Sequence, residues 1–491
     1  MISRVFLYCG LLLLFAAPRA QAAQSRVFTL WPVLDYRSAP AADFSSFHLL
    51  GPLIKYESSS TTTRSAVRPF FFHESSAAEH TSTTDLLFPV ATIDQGDNLK
   101  SFQFLRLLTF DFAARESGSK DEFMLFPLLF YNHLPGRDAT FALFPLIGRI
   151  EGKYGRERID FVLFPLYART STKELTTTNL PWPIFSWVEG EGVSGWQFWP
   201  LYGFTEKSGR YHKRFFLWPF FFRNDLSLAG DETLRETLVF PVWASIDSPS
   251  YQSQHLLWPF FGHTADRDAG YEEWDFPWPL LRLTRGERRN GVRILPFYTR
   301  ERIDAYQKRW FLWPLYKIEE RDSEILTYRR DRIAYFLYSD TEERLRGEDF
   351  PRKKRVALWP LFTYENKDGL ARFSTPALLE PFFPENERIE RNWAPFWRLY
   401  QVHWDRQGNE AASLLWNLYW KERRGEDLFW ELFPLAHYRH EAAVGVDLAL
   451  LKGLFRYRRS GERTKVTFLF LPWGPSWATP ASNPLPPGAL R

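Results

Sequence analysis

The chain predicts an all-β fold, a tandem array of about 24 antiparallel strands that closes into a barrel or curves strongly. Three observations carry this. A phrase of the form apolar–aromatic–Pro–apolar recurs from Trp31-Pro32 to Leu471-Pro472. Aromatic residues make up 18% of the chain, and they favour strands. Between the phrases lie turn-forming stretches such as Glu206-Lys207-Ser208-Gly209-Arg210 and Asn290-Gly291.

The phrase is clearest in Phe215-Phe216-Leu217-Trp218-Pro219-Phe220-Phe221-Phe222, with Lys213 and Arg214 before it and Arg223 after it. Phe or Trp precedes Pro in fourteen copies, among them Phe88-Pro89, Phe164-Pro165, Trp258-Pro259 and Phe433-Pro434. Weaker copies stand at Gly51-Pro52, Arg68-Pro69 and Leu295-Pro296, and degenerate ones around Leu107, Phe336, Trp416 and Gly453. The period is about 19 residues, too short for two helices and a turn. Pro inside the apolar run breaks a helix and pushes the preceding residue toward extended backbone. Each unit therefore reads as one strand of about ten residues, with Pro near its middle, plus a turn of about eight. Early Pro spacings alternate between long and short, as expected for antiparallel strands with turns at two ends.

Taken in order, the chain opens on a targeting segment. Arg4 supplies positive charge, Val5 to Ala17 is an apolar run shorter than the ~20 residues of a membrane helix, and Ala20-Gln21-Ala22 fits a cleavage site. Residues 1–22 are expected to be a signal peptide and 23–474 a single continuous repeat domain. The only Cys is Cys9, so the mature chain holds no disulfide and no thiolate site. Early turns are rich in Ser and Thr; from Trp182 onward Trp replaces Phe before Pro, and Arg and Glu fill the turns. Repeats lose register from about Ile325. Residues 475–491, rich in Pro and Ala, are expected to be a disordered tail.

In the unit Arg158 to Arg169, read as one strand, both faces are apolar at the centre, which implies a sheet covered on both sides. Eight apolar residues span roughly 26 Å, near the ~25 Å lipid-facing band of an outer-membrane barrel. Against a barrel stand the apolar second face and the mid-strand placement of Trp218 and Trp313. Repeated Pro suits bulges, and stacked bulges would give a curved sheet instead.

Chemistry is sparse. Gly190-Glu191-Gly192-Val193-Ser194-Gly195 matches a dinucleotide fingerprint in letters, but a repeat strand follows it where a helix is required. His437 and His440 have no acidic partner at ligand spacing. His403-Trp404-Asp405 reads as a surface hydrogen bond, and Glu272-Glu273 and Glu319-Glu320 as turn carboxylates. No cofactor and no catalytic residue is expected. With net charge +4 and interspersed signs, nucleic acid is not an expected partner. The candidate ligand- or lipid-contacting residues are Trp199, Trp218, Trp258, Trp313 and Trp359 in the aromatic rows, and Arg352, Lys353, Lys354 and Arg355 as a basic cluster for anionic head groups. Trp core packing and solvated basic turns are the structural alternatives.

The expected function is that of an exported, non-enzymatic protein of a Gram-negative envelope, in the outer membrane or periplasm. Its partner would be membrane lipid or the outer-membrane surface, and its role structural or in passage of lipid or other apolar cargo. The alternatives are a soluble periplasmic or secreted glycan-binding repeat protein and a glycoside hydrolase-like enzyme with carboxylates on the turns.

Overall fold

The computed structural model describes residues 26–478 except 40–42, 98, 106, 114–120, 134–137, 229–231, 385 and 472. The expected signal peptide lies outside the described residues. One sheet of 46 strands accounts for nearly all of them, from β1 (Arg26–Leu30) to β46 (Ser476–Ala478), numbered in chain order. Every strand pairs antiparallel with its neighbours in sequence, a meander from end to end. No ladder joins β1 to β46.

The strand number is nearly twice the expected one, and the reason is where Pro sits. The phrase is a turn, not the middle of a strand. β21 (Tyr211–Phe216) ends before Leu217, and β22 (Phe221–Ser227) begins after Phe220. Leu217 adopts φ +47°, and the Phe220 amide donates to the Leu217 carbonyl at 2.7 Å. Pro219 follows a cis bond and takes the third position of a four-residue turn, the arrangement of a type VI turn. That position donates no ladder bond, so the absent N–H is not missed. The Pro carbonyls are used: Trp218 N–H donates to Pro200 at 2.7 Å, Phe164 N–H to Pro145 at 2.7 Å and Trp313 N–H to Pro296 at 2.6 Å. Successive turns are thus bonded to one another along the edge.

Two corrections follow. The run Arg158 to Arg169 is not one strand apolar on both faces. It is the end of β15 (Arg156–Val162), a turn, and the start of β16 (Tyr167–Ser171). The ~26 Å apolar span is folded in half. The turns do alternate between two ends, as antiparallel order requires, but Pro marks only one of those ends and not the middle of a strand. The 46 strands make 23 hairpins, and all the Pro-type turns lie at one end of the sheet. The other end carries polar turns such as Lys207-Ser208-Gly209-Arg210, where Gly209 has φ +67° and Arg210 N–H donates to Lys207 at 2.9 Å. At the C-terminus, Ser476–Ala478 form a strand on residues 463–465, within the segment expected to be a disordered tail.

Register is unbroken. Thr29, Asp35, His48, Lys55, Ala66, Phe72 and Asp85 oppose one another from strand to strand. The same row continues through Phe130, Ala142, Gly148, Phe161 and Ala168 to Trp420, Glu431, His437, Ala449 and Arg456. It holds many of the buried residues, large ones beside small ones: Phe130, Ala142, Phe161 and Ala168 form the main apolar cluster with Ile150.

The face bearing this row is the inner one, because the sheet turns back on it. Arg37 lies over the Trp420 ring at 4.4 Å, Asn417 Nδ2 donates to Asp35 Oδ2 at 2.7 Å, and Trp31 Nε1 donates to Leu415 O at 2.7 Å. Residues 376–399 are an enlarged turn at the Pro end. It contains the helices α1 (Glu387–Asn392) and α2 (Ala394–Trp397) and reaches the inner face of residues 68–94. Asn386 caps α1 through a bond from Ile389 N–H at 3.2 Å.

Candidate functional site: an apolar rim and a charged inner face

The Pro-type turns build one continuous rim. Each presents leucine and aromatic side chains that are about half exposed, for instance Leu217, Trp218 and Phe220, or Leu312, Trp313 and Leu315. Ring neighbours follow the edge: Phe144 to Phe164 at 5.4 Å, Phe164 to Trp182 at 5.5 Å and Trp199 to Trp218 at 5.6 Å. The rings contact neighbouring turns through their sides and leave the remainder outward.

Strand chemistry changes sharply away from the rim. In β21 and β22 the apolar pairs Phe215-Phe216 and Phe221-Phe222 give way to Arg214 and Arg223. In this hairpin two residues per strand and the turn make an apolar depth of roughly 10 Å at ~3.3 Å per residue.

On the inner face of other strands paired charges begin at the second residue from the turn, as with Arg282, Lys317 and Arg332. Arg64 binds Glu57 at 3.2 Å and Glu74 at 2.8 Å. Glu273 accepts from Thr284 at 3.0 Å and pairs with Arg282 at 2.8 Å. Glu319 joins Lys317 at 2.6 Å, Arg332 at 2.7 Å and the Tyr306 hydroxyl at 2.9 Å. Burial alone would raise the Glu301 pKa, but hydrogen bonds from Arg293 and Lys308 hold it down at about 2. Burial first, then Glu319, raises Tyr306 to about 12. These carboxylates are neutralised by cations, an arrangement of structural ladders, and it leaves none of them poised as an acid–base pair. Among the described residues no cluster of three His, Cys, Asp or Glu side chains is placed to hold a metal.

The residues singled out from the sequence divide into two groups. Trp199, Trp218, Trp258, Trp313 and Trp359 all lie in rim turns. Trp218, Trp258 and Trp313 are exposed; Trp359 packs on Phe336 at 5.6 Å and donates to Leu378 O at 3.2 Å. The basic cluster is elsewhere. Lys353, Lys354 and Arg355 begin β35 (Lys353–Leu358) at the polar end, and Arg352 precedes it. Lys354 pairs with Asp340 at 3.1 Å and Glu342 at 3.0 Å, Arg355 donates to Glu380 O at 2.8 Å, and Arg352 faces Asp368 at 3.8 Å. Arg352 to Lys354 thus lie away from the Trp row, while Arg355 reaches back to the enlarged turn at the Pro end. His403 and Asp405 are not joined: Asp405 accepts from Asn409 and from the amides of a polar turn. His437 and His440 lie on opposite faces of one strand.

Sequence reasoning passed over the leucine before the aromatic. Leu87, Leu163, Leu217, Leu257 and Leu312 each precede an aromatic-Pro pair, have φ between +43° and +50° and remain exposed. Their recurrence was visible; their backbone was not.

The seam has its own electrostatics. His48 stands between Asp35 and Lys55 in the buried row and lines a small recess with Thr29, Trp31, Gly51 and Trp416. Burial first, then Lys55, Arg68 and Arg37, lowers its pKa to about 4, with Asp35 opposing. Between pH 6.5 and 4 the unfolded chain takes up a proton that the folded one refuses, so stability falls with pH across that window. Protection factors, that is, exchange relative to the intrinsic rate at each pH, are expected to fall for residues 43–58 and 415–420 from pH 6.5 to 4, and His48→Gln should flatten that dependence. An unchanged slope in the variant would refute the assignment.

The fold and the rim together define an all-β hairpin array with one apolar end. No protein-family model matches the chain, and no curated protein matches it.

Proposed function

We propose that the protein is an exported, non-catalytic component of a Gram-negative envelope that associates with membrane lipid through its aromatic-Pro rim. Its role is structural or in the passage of lipid or other apolar cargo. The observation that carries this reading is the rim itself, an apolar edge that runs through 23 successive hairpins and has no covering element along most of its length. Monomeric soluble proteins rarely expose a contiguous apolar patch beyond a few hundred Å². An aromatic side chain carries roughly 150–250 Å², and one left about half exposed at most of these turns makes on the order of 2,000 Å².

Strand length favours lying on the membrane over spanning it. A spanning strand needs about 9–11 residues. Most strands here have five to seven, and the two longest, with eight each, contain Arg329, Arg330, Asp331 and Arg332 or Glu342 and Glu343. The paired charges of the inner face suit a wet interior.

Flotation of the full chain with phosphatidylethanolamine–phosphatidylglycerol vesicles tests the reading. Co-flotation is expected, and it should persist in 1 M salt, because the contact is apolar and ions screen only charge. Protein that stays in the lower fraction, or that binds polysaccharide and not vesicles, would exclude lipid association.

A further inference from the structure

We propose that the rim is a wedge for one lipid leaflet. Its leucines enter the boundary between head groups and acyl chains of a single leaflet, and the charged inner face stays in water above it. This rests on the lipid reading given above and adds the depth, the sidedness and the residues that do the work.

The first argument is the backbone of the leucines. Leu87, Leu105, Leu163, Leu217, Leu257 and Leu312 have φ from +43° to +50°. A side chain with a Cβ crowds the following carbonyl in that region, and Asn, Asp or Gly is the usual occupant. The same six side chains are 39% to 54% exposed, so packing returns only part of what a buried leucine would contribute. At each of these positions the fold is served as well by asparagine. An apolar phase outside the protein is what leucine serves.

The second argument is level. An unslipped register across the sheet sets the rim turns at one height along it. At the seam, the rim turn holding Trp31 is bonded to the rim turn holding Leu415, so the level is kept where the array returns. A flat apolar edge matches a planar interface.

The third argument is depth. The apolar end, roughly 10 Å deep at β21 and β22 and shallower where Lys317 or Arg332 stands second from the turn, matches the ~5–10 Å to which interfacial elements sink, and it falls far short of the ~30 Å hydrocarbon core. Trp residues recur at this height, where indole favours the head-group region. The area also exceeds the ~800 Å² that a standard protein partner covers on each side.

The test uses the full chain and the same vesicles. Leu163, Leu217, Leu257 and Leu312 are changed together to Asn. The melting temperature is expected to hold or rise, while vesicle partitioning falls at least 100-fold. In a Cys9→Ser background, spin labels at Leu217→Cys and Lys213→Cys read depth separately: the first should be shielded from aqueous quencher, the second open to it. Unchanged partitioning, a misfolded quadruple variant, or a label at 213 as deeply buried as that at 217 would each overturn the wedge while lipid association stood. A wild-type chain that ignores vesicles would remove both readings. A dimer that dissociates on the Leu→Asn changes, without vesicle binding, would assign the rim to a second copy of this chain.

Discussion

Asp85→Ala is expected to free the seam. The Asp85 side chain is fully buried on β7 (Thr81–Leu86), in the middle of the inner row. It accepts from Arg391 Nε at 2.9 Å and from Asn392 Nδ2 at 2.7 Å, and Arg388 Nε stands 3.8 Å away. Around it, Arg388 Nη2 donates to Asp94 Oδ2 at 2.8 Å, Trp393 Nε1 to Phe88 O at 2.9 Å and Arg68 Nε to Arg391 O at 2.7 Å. Removing the carboxylate leaves the largely buried Arg391 guanidinium without its nearest counter-charge. Breaking a buried pair from one side costs about 3–5 kcal/mol. The loss should be local, because an array of this kind is stabilised by nearest-neighbour contacts. Hydrogen exchange is therefore expected to quicken by two to three powers of ten in residues 68–94 and 387–397, and to stay unchanged from β21 to β35. Asp85→Asn keeps one acceptor and should cost less. Equal exchange in wild type and Asp85→Ala would show that the helical insertion is held by other contacts.

The contrast between seam and array explains what could be read from the residues alone. Period and antiparallel order are local properties, carried by each copy of Phe-Leu-Trp-Pro-Phe and by the polar turn that follows. Strand number is local too, yet it was halved. An apolar run centred on Pro has the composition of a buried strand, and nothing in composition marks Leu217 as the point where the backbone turns left-handed. The oddity that suggested bulges, a Pro in every unit, is resolved by a turn position that requires no N–H. The seam is of another kind. Asp85 and Arg391 are 306 residues apart in the chain, and each looks like one more charge in a charge-rich sequence. The five Trp residues fall together in the Pro-type turns because their recurrence is regular. The basic cluster from Arg352 to Arg355 shares their expected role in lipid contact, but the hairpin starts it at the polar end, and only Arg355 reaches back toward the Pro end.

Gly148→Val is expected to disrupt the array at a point where the backbone leaves no room for a side chain. Gly148 belongs to β14 (Ile147–Lys153), between Ala142 on β13 (Thr140–Leu143) and Phe161 on β15. A Cβ there would lie 2.1 Å from Ala142 Cα and 2.9 Å from Phe141 O, so backbone must move to admit it. Overpacking commonly costs about 1–3 kcal/mol, and a clash with backbone lies at the upper end or above. The neighbours compound the effect, because Phe130, Ala142, Phe161 and Ala168 are the buried cluster that a displaced β14 would open. Gly203 shows the same logic with a ring: its Cβ would meet Phe215 Cε1 at 2.4 Å, so the glycine gives the cross-strand ring a place to lie. Gly209, in a polar turn, has nothing within 4 Å, and Gly209→Ala should cost only the ~1 kcal/mol of its positive φ. Protease cleavage and hydrogen exchange should therefore localise the Gly148→Val lesion to residues 140–171 and leave the remote strands protected. Cooperative unfolding of the whole chain by this one change would contradict nearest-neighbour stabilisation, and with it the expectation that Asp85→Ala acts only at the seam.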